Sequence, residues 1–230
     1  MLRSIQPEAL DSLAAGDPRA QRSRRDLRLI NILMGNAGSV ARALAKELGD
    51  GAGIADLGAG DGTFMLRVAR QIRPRPVRVA LSLVDRAGAI SGETTARFRA
   101  LQWTATPLAA DVIEWLHRAP ADFEAMTANL FLHHFEPPAL RRLLSLVAER
   151  TRVFIACEPR RSHLALAASR ALWIIGCGPE TCEDAVISVR AGFRDDELSQ
   201  AWPDSRGWEL KEGPRGPFSH RFMARRREAL

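Results

Sequence analysis

The sequence predicts an α/β fold, a mostly parallel sheet covered by helices on both faces and closed by an antiparallel C-terminal hairpin. Three observations carry this. From residue 52 onward, short apolar runs alternate with stretches of helical periodicity. The first apolar run ends in a glycine-rich turn, within Ile54-Ala55-Asp56-Leu57-Gly58-Ala59-Gly60-Asp61-Gly62-Thr63. Near the C-terminus, two strand candidates are joined by a short Gly/Pro link, Gly213-Pro214-Arg215-Gly216-Pro217.

Taken in order, residues 1–50 read as a helical extension or lid. Leu27, Ile30, Leu33 and Met34 mark an apolar stripe at helical spacing. Gly35-Asn36 stops that helix, and Ser39 is placed to cap a second one with Val40, Ala41, Leu44, Ala45 and Leu48 on its apolar face. The main domain then runs over 51–230. Strands are expected at 54–57, 77–84, 103–109, 123–131 and 152–157. Helices are expected between them, the clearest carrying Leu140, Leu143, Leu144, Val147 and Ala148 behind Pro137-Pro138. Residues 162–175 read as helix and 176–194 as irregular. Asp195 is placed to cap a short helix reaching Trp202, and strands follow at 208–211 and 219–224. Parallel strands alternating with helices need both faces of the sheet covered.

Composition narrows the function. The 230 residues suit one domain with a small appendage. Apolar residues make up 46%, too many for a disordered chain. The net charge is +6, and the cations are almost all arginine, since only Lys46 and Lys211 are lysines. That bias, with abundant alanine and no tyrosine, reads as the coding composition of a GC-rich bacterial genome, so it weakens the nucleic-acid argument a basic chain would otherwise make. Three cysteines without paired spacing (Cys157, Cys177, Cys182) fit a reducing cytoplasm rather than a disulfide scaffold or zinc knuckle. The first residues lack the apolar core of a signal peptide, and the longest apolar stretch, 164–176, is broken by Ser169 and Arg170. A cytoplasmic protein is expected. The arginines at 19, 22, 24, 25 and 28 read as a solvated helix face, with an anion or membrane-surface contact as the alternative.

The glycine turn indicates the ligand. Strand, glycine turn and helix start form a backbone cradle at the C-terminal edge of a parallel sheet, where such folds bind nucleotide-like ligands. A dinucleotide fingerprint needs G-x-G-x-x-G. Here the glycines fall at 58, 60 and 62, and Thr63 takes the slot of the third glycine. Asp61 also places a negative charge where a diphosphate would lie. Asp56 and Asp61 suit a cationic, phosphate-free ligand instead.

Ala55-Asp56-Leu57-Gly58-Ala59-Gly60-Asp61-Gly62 resembles the first motif of class I S-adenosylmethionine-dependent methyltransferases. Other motifs follow in register. Leu83-Val84-Asp85 is similar to the acidic end of that family's second strand, Ala110-Asp111-Val112 to its adenine-contacting motif, and Thr127 to Phe135 to its fourth-strand motif. The resemblance covers residues 52–225 and implies a Rossmann-like seven-stranded sheet, S-adenosyl-L-methionine as cofactor and S-adenosyl-L-homocysteine as product. It implies cofactor contacts at Asp56, Gly58, Ala59, Gly60, Asp61, Gly62, Asp85, Arg86, Asp111, Val112, Asn129 and Leu130, with Asp85 on the ribose hydroxyls. Each acid has a plainer reading: Asp56 as a turn cap, Asp85 as an exposed strand end, Asp111 as the cap of the next helix.

His133, His134 and Glu158 are the candidate catalytic residues. His134 is read as facing the substrate as a general base, and His133 as buried structure that positions the loop. Glu158 is read either as a base or substrate contact, or as the partner of Arg160 or Arg161. A double histidine can bind metal, but the sequence shows no carboxylate or cysteine completing a usual ligand set beside it, so no metal is expected.

The fourth-strand motif reads Asn129-Leu130-Phe131-Leu132 rather than the Asn-Pro-Pro-Tyr of many amine-methylating relatives, and no RNA-binding module is visible. The segment 160–194, with Leu164, Leu166, Leu172, Trp173, Ile174 and Ile175, is expected to cover an apolar substrate. Residues 26–36 together with 129–135 resemble, more loosely, small-molecule methyltransferases associated with type III polyketide synthases. The expectation is methyl transfer to a small, fairly hydrophobic acceptor, phenolic or polyketide-derived, with O-methylation favoured over C-methylation. No stable nucleic-acid complex is expected. An RNA methyltransferase, a non-catalytic cofactor-binding relative and an NAD enzyme are the alternatives.

Overall fold

The structure, a computed structural model, describes residues 1–13, 16–72, 78–119 and 122–227. Seven strands form one sheet: β1 (Ala52–Leu57), β2 (Val79–Asp85), β3 (Trp103–Ala109), β4 (Phe123–Asn129), β5 (Thr151–Pro159), β6 (Trp208–Arg215) and β7 (Ser219–Arg226), in the order β3-β2-β1-β4-β5-β7-β6. The first five strands are parallel, and β7 runs antiparallel to both β5 and β6. The order reverses between β1 and β4, which places the glycine turn after β1 at the switch point. The expected strand start at Val77 lies outside the described residues.

Burial explains why the central strands read as continuous apolar runs. In β1, β4 and β5 nearly every residue is buried, because helices cover both faces. Alternate side chains serve opposite layers. Phe154 and Ala156 of β5 join one core cluster, while Val153, Ile155 and Cys157 join the other. The first layer is completed by α6 (Val112–Arg118), α7 (Pro137–Arg150) and α10 (Glu197–Ala201), through Leu116, Leu143, Leu144, Val147 and Leu198. The second is completed by α3 (Asn36–Glu47), α4 (Thr63–Ile72) and α5 (Gly92–Arg99), through Val40, Leu44, Met65, Val68 and Phe98. Fully burying a side chain of this size stabilises by about 1.5–3 kcal/mol. By contrast, β3 is largely exposed and carries Pro107, which the sheet tolerates because β3 is an edge strand.

α3 packs into the second core layer. Three expectations change. In α2 (Pro18–Met34) the buried residues are Ala20, Ser23 and Asp26, and not the apolar stripe; Leu33 is 58% exposed. The cause is a polar anchor: Asp26 Oδ2 accepts from Gly178 N at 2.8 Å and from Thr181 Oγ1 at 3.0 Å. The stretch expected to be irregular contains α9 (Pro179–Ala191), started by Pro179 with Glu180 in its first turn. Finally, 162–175 splits into α8 (His163–Arg170) and a 3₁₀ turn over Leu172–Ile175. A short α1 (Ala9–Ser12) precedes α2. The three cysteines are free. Among the described residues, no helix is long and apolar enough to cross a membrane.

Candidate active site

The site is built at the C-terminal edge of β1, β2, β3 and β4. Leaving β1, the chain turns through Gly58, Gly60 and Gly62 with φ of 71°, 55° and 75°, a region L side chains rarely adopt. Gly58 is also sterically closed: a Cβ there would lie 2.2 Å from Phe131 Cδ2. Above Gly60 an added Cβ would meet nothing within 4 Å, so the backbone is approachable there. The turn is fixed from below, where Gly58 N and Ala59 N both donate to Val84 O, at 2.9 and 3.1 Å.

Carboxylates surround this turn. Asp85, at the end of β2, accepts from Gly60 N and Ala87 N, both at 2.8 Å. Asp61 accepts from Thr63 N at 3.0 Å over the start of α4, and Arg28 of α2 approaches it at 3.9 Å. Asp56 is buried and accepts from Thr127 Oγ1 at 2.6 Å. Burial pushes the Asp56 pKa up to about 7, against the Thr127 hydrogen bond and with a smaller contribution from the Asp85 charge. Asp111 caps α6, accepting from Ile113 N and Glu114 N at 2.9 and 3.1 Å; Val112 next to it is buried in the core. Arg86 follows Asp85 and is exposed.

After β4 the chain does not continue as a strand to 131. Leu130 takes φ 53°, and Leu132–His134 form a 3₁₀ turn. Asn129 is held on both sides: its Nδ2 donates to Asn31 Oδ1 at 2.8 Å, and its Oδ1 accepts from Asn36 Nδ2 at 2.9 Å. Asn36 in turn accepts from Ser219 Oγ at 2.6 Å. Phe131 closes over Gly58 and meets Phe135 edge-on at 5.0 Å.

Glu158 has different partners from the arginines expected. It is fully buried, and it pairs with neither Arg160 nor Arg161; Arg161 pairs with Glu197. Its carboxylate accepts from Phe131 N (3.1 Å), Leu132 N (2.9 Å) and His133 N (3.3 Å), and lies 2.7 Å from His133 Nδ1. It therefore binds the 3₁₀ turn by its free N–H groups, as an anion sits at a helix N-terminus. The other edge of the His133 ring faces Glu8 at 3.3 Å. Burial lowers the His133 pKa, but the hydrogen bonds to Glu158 and then Glu8 outweigh it and bring it up to about 9. His134 is half-buried beside it, the ring centroids 4.2 Å apart.

Sequence reading missed a second set of residues: Arg3, Glu8, Asn31, Asn36 and Asp184. Arg3 donates to His133 O and Phe135 O, at 3.3 and 3.0 Å, across at least 130 positions of chain. Asp184 accepts from Ala9 N and Leu10 N at 2.7 and 3.1 Å and so seats Glu8. Asn31 and Asn36 fall in the 26–36 segment, but no local pattern announces their bonds to Asn129, and Arg3, Glu8 and Asp184 belong to no local motif.

Sheet order, reversed last strand and glycine turn at the switch point together define the class I S-adenosylmethionine-dependent methyltransferase fold. Among solved structures, the chain is similar to the plantazolicin methyltransferase BamL in complex with a triazolic desmethylPZN analogue and SAH, with TM-score 0.65, 11% identity, and 93% of this chain and 92% of that chain covered. It is similar to the plantazolicin methyltransferase BpumL in complex with SAH (TM-score 0.62, 14% identity, 92% of each chain). It is also similar to magnesium protoporphyrin IX methyltransferase (ChlM) from Synechocystis PCC 6803 with bound SAM (TM-score 0.54, 15% identity, 89% of this chain and 84% of that chain). No protein-family model and no curated protein matches the sequence.

Proposed function

We propose that the chain binds S-adenosyl-L-methionine at the glycine turn and transfers its methyl group to a small, fairly hydrophobic acceptor, at oxygen in preference to carbon. The observation that carries this is the charge of the cradle. Asp85 bonds Gly60 N and Asp61 lies over the start of α4, so two carboxylates flank the turn that a diphosphate would need free, with Asp56 buried and bonded to Thr127. A ligand with ammonium and sulfonium groups and no phosphate suits that charge, and BamL and ChlM, which share the fold, were solved with SAH or SAM.

When bound, the cofactor supplies an already activated methyl group on sulfur. The chain's own task is therefore alignment. Asp85 has lone pairs left after Gly60 N and Ala87 N to accept the ribose hydroxyls. Gly58, Ala59, Gly60 and Gly62 offer bare backbone. Asp111 and Val112 bound the adenine side, and Asn129 and Leu130 the methionine side, with Arg86 at the rim. An acceptor hydroxyl would have to give up its proton, and His134 is the imidazole that we propose would take it. His133 and Glu158 act through the loop, as positioning residues.

The exposed cover supports this acceptor class. Trp173 and Ile174 are 68% and 67% exposed, with Leu164, Ile175 and Ile32 also exposed. Of these, Ile175 borders a cleft of about 400 Å³ lined also by Arg22, Arg25, Asp26, Leu29, Gly176, Cys177 and Gly178. Apolar side chains around a cleft with arginines favour an amphiphilic, phenolic or polyketide-derived molecule.

Calorimetry with S-adenosylhomocysteine and NADH separates the ligands, and mass spectrometry of phenolic lipids incubated with protein and donor tests the transfer. The expected results are binding of S-adenosylhomocysteine alone and a gain of one methyl group. NADH binding with no S-adenosylhomocysteine binding would overturn the proposal.

A further inference from the structure

A second cluster forms on the turn after β4 and includes the imidazole proposed above as base. Glu8, His133 and His134 each bring one ligating atom to within 4.8 Å of the other two. The sequence offers His133 and His134 no carboxylate partner for metal; the fold supplies one from 125 positions away.

The geometry goes beyond proximity. Nδ1 of His133 is 2.7 Å from Glu158 Oε2, and that carboxylate is itself fixed by three backbone N–H groups. This arrangement makes Nδ1 the nitrogen that engages the carboxylate and directs Nε2 toward Glu8, 3.3 Å away. Metal-ligating histidines are built this way, with a buried carboxylate orienting one ring nitrogen while the other meets the ion. The spacing of one pair fits as well, His133 Nε2 standing 3.3 Å from Glu8 Oε1. Two donors about 2.0–2.1 Å from a tetrahedral ion stand roughly 3.4 Å apart. Glu8 is held in place independently of the histidines, because Asp184 grips the next two backbone N–H groups and Ser188 Oγ donates to Glu8 Oε1.

We propose that Glu8, His133 and His134 bind a divalent cation of borderline softness, zinc foremost, with Glu158 orienting His133. Two imidazoles and one carboxylate suit zinc and not the oxygen-seeking magnesium or calcium. Three protein ligands leave a fourth position for water or another oxygen ligand. The ion would clip the N-terminal segment to the turn after β4. Because it engages one nitrogen of His134, zinc and an acceptor proton compete for that ring.

The test is metal uptake by the full chain, a readout independent of methyl transfer. Chelator-treated protein is titrated with Zn²⁺ by calorimetry and with Co²⁺ by visible absorbance. One ion per chain is expected, with Kd in the micromolar range or tighter and the intense bands of tetrahedral Co²⁺. Glu8→Gln and His134→Ala, each verified as folded by circular dichroism, are expected to weaken binding at least tenfold. Glu158→Gln is expected to weaken it by about 10–100-fold through loss of His133 orientation. Absence of stoichiometric uptake by the wild type would overturn the proposal. So would uptake unchanged in Glu8→Gln and His134→Ala, or uptake lost instead in Cys182→Ser.

Discussion

Replacing Glu158 separates a structural carboxylate from a chemical one. In Glu158→Ala, the N–H groups of Phe131, Leu132 and His133 lose their acceptor, and His133 loses the partner 2.7 Å from its Nδ1. Leu132 is fully buried and His133 is 2% exposed, so water does not readily replace the lost oxygens. Each orphaned buried donor costs about 1–3 kcal/mol, and removing one partner of a buried ion pair costs about 3–5 kcal/mol. These overlap, because all the bonds go to one group and the turn relaxes in part, so the expected total is about 3–5 kcal/mol. For a chain of this size each kcal/mol lowers Tm by about 2–4 °C, which gives a fall of about 6–20 °C. Thermal unfolding followed by circular dichroism measures it. Glu158→Gln keeps one acceptor but points an amide N–H₂ at donors, and should fall between wild type and alanine. A Glu158→Ala protein whose Tm stays within about 2 °C of wild type, with turnover abolished, would refute the structural role and return Glu158 to the chemistry.

Three further outcomes are expected. Gly58→Ala forces a φ of 71° on an L residue and drives its Cβ into Phe131, so stability should drop by about 2–5 kcal/mol in urea unfolding, with S-adenosylhomocysteine affinity falling alongside. His133 has its pKa raised from 6.5 to about 9 by Glu158 and Glu8, so its contribution is complete below about pH 6.5 and is lost as pH rises through 9. Metal-free protein should therefore lose on the order of a few kcal/mol over that window, with a shallower slope in Glu8→Gln. Asp56 is protonated below about pH 7 in the free protein, and a cationic ligand favours its ionised form. Affinity for S-adenosylmethionine should rise with pH and level off above 7, and calorimetry in buffers of differing ionisation enthalpy should show proton release at lower pH.

The parts of the fold that rest on local periodicity were legible in the sequence. Val40 and Leu44, or Leu143, Leu144 and Val147, announce their buried faces by spacing alone. The glycine turn was legible because positive φ leaves its mark on residue type. Where the reading failed, tertiary contacts overrode local pattern. α2 shows an apolar stripe yet buries Ser23 and Asp26, because Asp26 serves the N-terminus of α9 rather than its own helix. The 3₁₀ turn after β4 continues an apolar run, and nothing in Leu130-Phe131 signals that a glutamate from the next strand will collect its N–H groups. Glu8 carries no local signal, and its seat depends on Asp184 accepting from the next two backbone N–H groups.

The same contacts limit how the site can open. Asn31, Asn129, Asn36 and Ser219 form a hydrogen-bonded chain joining α2, β4, α3 and β7, and Asn36 and Ser219 are fully buried. Each link is worth about 1 kcal/mol net, and more if a buried partner is stranded. Swinging residues 1–50 away as one lid would break the two links to Asn129 and the one to Ser219, and would also tear α3 from the second core layer. Movement confined to the chain before Asn31 breaks none of these. Among the described contacts it breaks that of Arg28 with Asp61, the Arg3 bonds, the bond of Ser4 N to Arg190 O, the bonds of Met1 O to Arg161 and of Ser23 to Thr181, and the anchors at Glu8 and Asp26. Entry of an acceptor is therefore expected to hinge before Asn31, with the Asn129 end of β4 remaining fixed against the cofactor edge.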